Sequence, residues 1–181
     1  MFLVLMRHGI AQELGEMVSS PGEAWPRDEM RSLTELGRKR VRRAGLGLRR
    51  IGFRADAIIS SDLVRARQTA ELVARCIVRR SARAGFRPTE SSALRPSAHP
   101  AEFMKLLPTL RDCASLLAVG HLPHLDRLVA LLLGSPDRQL TSFGKAGALA
   151  LEVPTSGRAA GLLRWYLPPR LLRRLGEAAD A

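Results

Sequence analysis

Phe2-Leu3-Val4-Leu5-Met6-Arg7-His8-Gly9 opens the chain, and its reading decides the architecture. Phe2 to Met6 is a short, nearly continuous apolar run, the pattern of a strand buried on both faces. Such strands belong to sheets with helices packed on either side. The run gives way to Arg7, His8 and Gly9 at its carboxyl end. In an open α/β sheet that end is where ligands bind, because helix N-termini and side chains converge there.

Working outward, strands and helices alternate. Gln12 to Ser32 is rich in Gly, Pro and Ser and reads as a long loop. Thr34 is a helix N-cap, with Leu36, Val41, Leu46 and Leu48 roughly along one face until Gly52, although Gly45 and Gly47 weaken the helix. A strand follows over Ala57 to Ser60, then a helix over Leu63 to Val78 on the apolar positions Leu63, Ala66, Ala70, Val73 and Ile77. A weakly patterned section, Phe86 to Leu94, leads to a helix over Ala101 to Arg111, in which Pro108 marks a kink or an early end. Leu116 to Val119 reads as another buried strand, with Pro123 as a first-turn proline before a helix over Leu125 to Leu133. Ala148 to Val153 and Leu162 to Leu167 read as strands around a Pro-Thr-Ser-Gly turn, and the tail from Arg170 as a helix. The alternation predicts an α/β fold, a three-layer α/β/α sandwich with a mostly parallel central sheet. With no internal repeat and no linker, residues 1–181 are expected to form a single domain.

Composition is consistent with that fold: 46% of residues are hydrophobic but only 4% aromatic, so Leu, Val, Ile and Ala must fill the core. The balance of 29 Lys plus Arg against 17 Asp plus Glu, a formal charge of +12, favours anionic partners. Arg38 to Arg43 and Arg170 to Arg174 read as solvated helix faces, and the lack of aromatic residues among them argues against nucleic acid. Cys76 and Cys113 lie in apolar segments without CxxC spacing and read as buried thiols rather than metal ligands or a redox pair. The apolar start has no basic segment before it and no cleavage site after it, and no run reaches the roughly 18 apolar residues of a membrane span. A cytoplasmic protein without membrane contact is expected.

The chemistry gathers at three strand ends: Arg7-His8-Gly9, then Ser60-Ser61-Asp62-Leu63-Val64-Arg65, then Gly120-His121. Each alone is a weak signal. Two histidines and two arginines at the ends of three strands, however, make a cationic pocket sized for a phosphate, which a core has no structural need for.

Four segments, in order, carry a family resemblance: Leu5-Met6-Arg7-His8-Gly9, Arg31-Ser32-Leu33-Thr34-Glu35-Leu36-Gly37, Ser60 through Thr69, and Val119-Gly120-His121-Leu122-Pro123. Leu163 to Pro168 adds a weaker match. The chain resembles the histidine phosphatase superfamily, with its phosphoglycerate-mutase-like fold, and within it the small SixA-type phosphohistidine phosphatases. The resemblance implies that His8 is the nucleophile and is transiently phosphorylated. It implies that Arg7 and Arg65 hold the phosphoryl oxygens, that His121 is the second histidine of the pocket, and that no cofactor or metal takes part.

Physical chemistry fits those roles. Phosphoryl transfer depends on positioning and on stabilising charge at the equatorial oxygens, which planar arginine forks do well. Gly9 suits a backbone that must approach the nucleophile or phosphate closely, and Ser61 either donates to the phosphate or, the favoured reading, caps the helix bearing Arg65. His8 needs a fixed tautomer, with a backbone carbonyl the expected acceptor, and flanking arginines should keep it neutral. His99 reads as a cap or surface residue and His124 as structural or solvent-facing.

Ester-cleaving relatives carry a carboxylic acid to protonate the leaving oxygen, whereas here Leu122 follows His121 and Ala93 to Ser97 supplies no acid. Glu13 and Glu90 are the possible substitutes. Imidazole, with its pKa of about 6.5, departs without a strong acid, so the gap favours phosphohistidine on a protein, drawn in by an acidic surface. The long loop either covers the pocket or contributes Arg27 or Arg31. The alternatives are a phosphomonoesterase acting on a small metabolite and a non-catalytic module binding a phosphorylated ligand or nucleic acid.

Overall fold

The computed structural model describes residues 1–16, 27–79, 84–154 and 160–178. Its centre is a six-stranded sheet in the order β3-β2-β4-β1-β5-β6, formed by β1 (Phe2–Arg7), β2 (Ala57–Ser60), β3 (Thr89–Glu90), β4 (Ser115–Gly120), β5 (Ala148–Glu152) and β6 (Leu162–Leu167). β1, β4, β2 and β3 pair in parallel, while β5 runs antiparallel to both β1 and β6. The sheet is therefore mixed, with β5 alone reversed, since β5 and β6 are joined without a crossover helix.

β1 is buried on both faces, as its apolar run predicts. Val4 and Met6 enter one core layer, Leu3 and Leu5 the other. The first layer packs under α1 (Glu35–Arg50), α2 (Val64–Ile77) and α5 (Pro169–Glu177), through Val41, Leu48, Ala66, Val73 and Leu172. The second packs under α3 (Pro100–Met104) and α4 (His124–Leu132), through Phe103, Leu125 and Leu128. The three layers are those expected from the alternation.

The Thr34 side chain accepts a hydrogen bond from Gly37 N at 3.0 Å and caps α1, and Gly52, at φ +86°, closes the turn after it. The buried face of α1 runs through Val41, Ala44 and Leu48, whereas Leu36 is half-exposed. Gly47 is required by packing: a Cβ there would lie 2.2 Å from the Leu172 carbonyl oxygen of α5. Gly176 returns the contact, since its Cβ would lie 2.0 Å from the Arg43 oxygen. Gly47, which weakens the helix by propensity, thus lets α1 and α5 touch backbone to backbone, while Gly45 makes room for Cys76 of α2.

Several expectations shift. The helix expected over Ala101 to Arg111 breaks into α3 and a 3-10 turn, Leu107–Leu110, that contains Pro108. Pro123 occupies the cap position before α4 instead of its first turn. Cys113 is only partly buried, whereas Cys76 is buried as expected. The long loop is pinned at its ends: Ala11 bridges to Leu33, Gln12 N donates to Ser32 O at 2.9 Å, and Asp28–Met30 forms a 3-10 turn. Residues 17–26, and most of the expected Pro-Thr-Ser-Gly turn, lie outside the described residues. No helix among the described residues is long and apolar enough to cross a membrane.

Strand order is what assembles the site. β4 lies between β1 and β2, with Arg7 opposite Gly120 and Ser60 opposite Val119, so the three motif-bearing ends are neighbours.

Candidate active site

Beyond the last rung of β1, His8 N donates to Gly120 O at 3.1 Å and Arg7 N to Gly147 O at 3.1 Å, which carries the ladder into the turn. His8 Nδ1 donates to Gly9 O at 2.7 Å. A carbonyl can only accept, so this bond fixes the proton on Nδ1 and leaves Nε2 with its lone pair. The His121 ring lies 4.8 Å away, centre to centre, and both residues are buried.

Burial is the main reason that both rings stay neutral. The His8 pKa is pushed down from 6.5 to about 2 by burial first, then by His121, with Arg65 and Arg7 contributing least and the Gly9 bond opposing. His121 is lowered to about 3, by burial and then Arg65, while the charge of Asp28 works the other way. The arginines thus act in the expected direction but rank below desolvation.

Arg65 projects from the first turn of α2 and is buried. Its Nη1 donates to Asp28 O at 2.7 Å and its Nη2 to Asp28 Oδ2 at 2.8 Å. Asp28 is a site residue that sequence reading missed, for it sits in an aperiodic loop 37 residues from its partner. Arg31, offered as a pocket residue, instead ties the loop together: Nε donates to Gln12 O at 2.5 Å and Nη1 to Asp28 Oδ1 at 2.9 Å. Arg27, offered with it, makes no side-chain cap at the start of the Asp28–Met30 turn. Burial alone would raise the Asp28 carboxyl, but hydrogen bonds from Arg31 and Arg65 outweigh it and hold the group below the usual carboxylate range.

Arg7 Nη1 donates to Phe143 O at 2.7 Å, and its Nε is buried without a partner among the described residues, as are both ring nitrogens of His121. Buried nitrogens are normally hydrogen-bonded. Arg7 Nε and the His121 ring nitrogens thus lack a protein partner among the described residues, and together with the lone pair of His8 Nε2 they are groups suited to the oxygens and phosphorus of a phosphoryl group.

Gly9 and Ser61 sit differently from expectation. A Cβ on Gly9 would meet Val41 Cγ2 at 2.4 Å, so the close approach is to α1, and the Gly9 amide donates to Thr69 Oγ1 at 3.1 Å. Ser61 does not cap α2, whose cap position is Leu63; its buried hydroxyl accepts a long 3.4 Å bond from Leu63 N. Thr69, also missed as a functional residue, links the two halves of the site by donating from Oγ1 to Arg65 O at 2.7 Å. His99 caps α3, accepting from Ala101 N at 3.2 Å. His124 is fully buried, against the solvent reading, and burial pushes it down to about 4.

Among the carboxylates offered as acids, Glu13 lies 3.6 Å from Arg31 and Glu90 3.4 Å from Arg67, both on the exposed rim. No group of three or more His, Cys, Asp or Glu side chains that could hold a metal ion occurs among the described residues. Surface concavities beside α2, at Glu71, Arg75 and Phe86, and beside α4, at Asp126 and Pro136, do not include His8, Arg65 or His121.

A mixed α/β sheet whose parallel strands bring, at their carboxyl ends, a neutral, tautomer-fixed histidine near two arginines and a second histidine defines a class of phosphoryl-transfer site. The chain belongs to the histidine phosphatase superfamily. Residues 3–87 match the model of the histidine phosphatase superfamily (branch 1). A protein of Picosynechococcus sp. is 30% identical over 155 residues, covering 84% of this chain and 85% of the relative. Among solved structures, the protein histidine phosphatase SixA complexed with tungstate superposes with a TM-score of 0.76 at 26% identity, covering 94% of this chain and 98% of that one. The alpha-ribazole phosphatase from Shigella flexneri shares the fold, with a TM-score of 0.69 at 18% identity, over 93% of this chain and 97% of its own. Within the superfamily the chain is of the SixA type.

Proposed function

We propose that this phosphatase moves a phosphoryl group from protein phosphohistidine to Nε2 of His8 and then to water, without metal or cofactor. The observation that carries the reading is the His8 Nδ1 to Gly9 O bond of 2.7 Å, which leaves a neutral Nε2 to attack phosphorus. Arg7 and Arg65 would hold the equatorial oxygens and His121 would bond one of them. Because His8 keeps its Nδ1 proton, the phosphorylated ring is cationic and departs as a neutral imidazole when water attacks.

Substrate choice follows from the leaving group. An alkoxide needs a proton donor, and Glu13, Glu90 and Asp28 are each paired with arginine. Imidazole does not, which supports phosphohistidine, as does the likeness to SixA over nearly the whole chain. On α1 and α5, Arg173 lies close enough to feel the charges of Arg40, Arg43 and Arg170, and this basic face favours a carrier protein with an acidic surface. The rate on a phosphoprotein should fall with added salt, and a salt-independent rate would remove the acidic carrier from the reading.

The test is single-turnover dephosphorylation, without added metal, by wild type and His8→Ala on a phosphohistidine protein and on an aryl phosphate. Faster loss from phosphohistidine, abolished in the variant, supports the reading. Activity that survives the substitution rejects His8 as nucleophile, and binding without turnover in both proteins returns the non-catalytic module.

One observation favours a second reading, a phosphomonoesterase acting on a small metabolite. Burial raises the carboxyl of Asp126, whose charge Arg7 feels, although Thr141 donates to its Oδ1 at 2.9 Å. If Asp126 protonates an ester oxygen, Asp126→Asn will lower aryl phosphate turnover far less than turnover of alkyl phosphates, whose leaving groups need the proton more.

A further inference from the structure

We propose that Asp28 sets the leaving-group specificity of the site, accepting a hydrogen bond from the distal ring N–H of the substrate's phosphohistidine so that its imidazole leaves as a neutral ring. This rests on the phosphohistidine reading and adds to it a protein group that recognises the departing side.

His8 lies at the floor of the site, 7% exposed, and the Arg65 side chain at its wall, 6% exposed, whereas the Asp28 side chain is 46% exposed at the mouth. In-line transfer places the leaving atom opposite the nucleophile, and so toward that mouth. Asp28 Oδ2 is 2.8 Å from Arg65 Nη2, which puts the carboxylate one guanidinium's width from the phosphoryl oxygens that Arg65 would hold. His121 feels its charge as well. Each Asp28 oxygen takes one arginine bond, Oδ1 from Arg31 and Oδ2 from Arg65, and a carboxylate oxygen retains further acceptor capacity.

The charges facing this carboxylate are Arg31 on its own turn, Arg65 on α2, and the neutral His121 at the end of β4; Glu13 approaches through Arg31. Its state is the anion, which cannot protonate an alkoxide but favours a cationic ring beside it.

The chemistry balances in both steps. As the His8 Nε2 to phosphorus bond forms, the bond from phosphorus to the substrate ring nitrogen breaks and its electron pair stays on that nitrogen. The ring, already protonated at its distal nitrogen by solvent, departs neutral. Water then attacks phosphorus, and His8 leaves in the same way. The parallel is internal to the site: Gly9 O accepts from the distal N–H of His8, and Asp28 would do so for the substrate.

The experiment compares kcat/KM of wild type, Asp28→Asn and Asp28→Glu on phosphoimidazole and on an aryl phosphate, whose leaving group carries no N–H. Both activities should drop in Asp28→Asn because Arg65 loses a partner, but phosphoimidazole should drop about tenfold further, the scale of a charged hydrogen bond. Asp28→Glu should retain most of the preference. A parallel loss on both substrates means that Asp28 acts only through Arg65 and overturns the proposal, as does a gain on phosphoimidazole. A wild type that prefers the ester overturns the phosphohistidine reading itself, whatever the variants do.

Discussion

The imidazoles of His8 and His121 stand 4.8 Å apart at 48°, and among the described residues only Nδ1 of their four ring nitrogens, that of His8, has a protein partner. Both rings stay neutral first because they are buried, and His121 further disfavours charge on His8. The pair thereby keeps a nucleophile ready near neutral pH.

His8→Ala should reduce turnover by about 10⁴-fold or more, the scale of nucleophile removal, while inorganic phosphate still binds through the arginines. His121→Ala, which removes one stabilising contact, should reduce it by about 10²–10³-fold. Trapping of labelled phosphate by an alkaline denaturing quench, under which the phosphorus–nitrogen bond survives, on wild type and not on His8→Ala checks the intermediate, and label retained by the variant would contradict it.

Thr69→Val removes the hydroxyl that joins the Gly9 amide to the Arg65 carbonyl and leaves a buried N–H unpaired. We expect a stability loss of about 1–3 kcal/mol in urea unfolding and a lower kcat. A variant as stable and as active as wild type would show that this link does not hold the two halves of the site.

Gly47→Ala should destabilise, although alanine is the better helix former by about 1 kcal/mol, because its Cβ would meet the Leu172 oxygen at 2.2 Å. Overpacking of this kind costs about 1–3 kcal/mol, a fall in Tm of several degrees for a chain of this length. A Tm that rises would mean that α5 moves aside freely.

Acid should unfold the protein earlier than its carboxylates require. His8, His121 and His124 fall from 6.5 to about 2, 3 and 4 in the folded state. The unfolded chain therefore binds more protons below pH 6.5, so this stability is complete above that value and is lost as pH falls toward the folded values. Denaturant midpoints should decline between about pH 6.5 and 4.5, less steeply in His124→Leu, and equal slopes would argue against a neutral buried His124.

Much of the fold was legible because it is written locally. The apolar run of β1, the Thr34 cap of α1 and the strand at Ala57–Ser60 each depend on a few adjacent residues, and each formed as read. The segment Ala101 to Arg111 breaks ahead of Pro108, in line with the kink or early end read there, because proline removes a backbone donor, although the helix ends sooner than its apolar residues suggested. Leu36 faces outward because α1 turns its buried side toward α5 and α2, a choice that only packing makes.

By itself, the sequence determined the layered α/β architecture and pointed to His8, Arg7 and His121 at strand ends and Arg65 on the helix after the second strand, since periodicity and short motifs act within one element. The tertiary structure decided which strand ends became neighbours, that burial more than the arginines keeps His8 neutral, and that Asp28 meets Arg65. Those outcomes arise from contacts between segments far apart in the chain, whose geometry exists only once the sheet has set the distance between them.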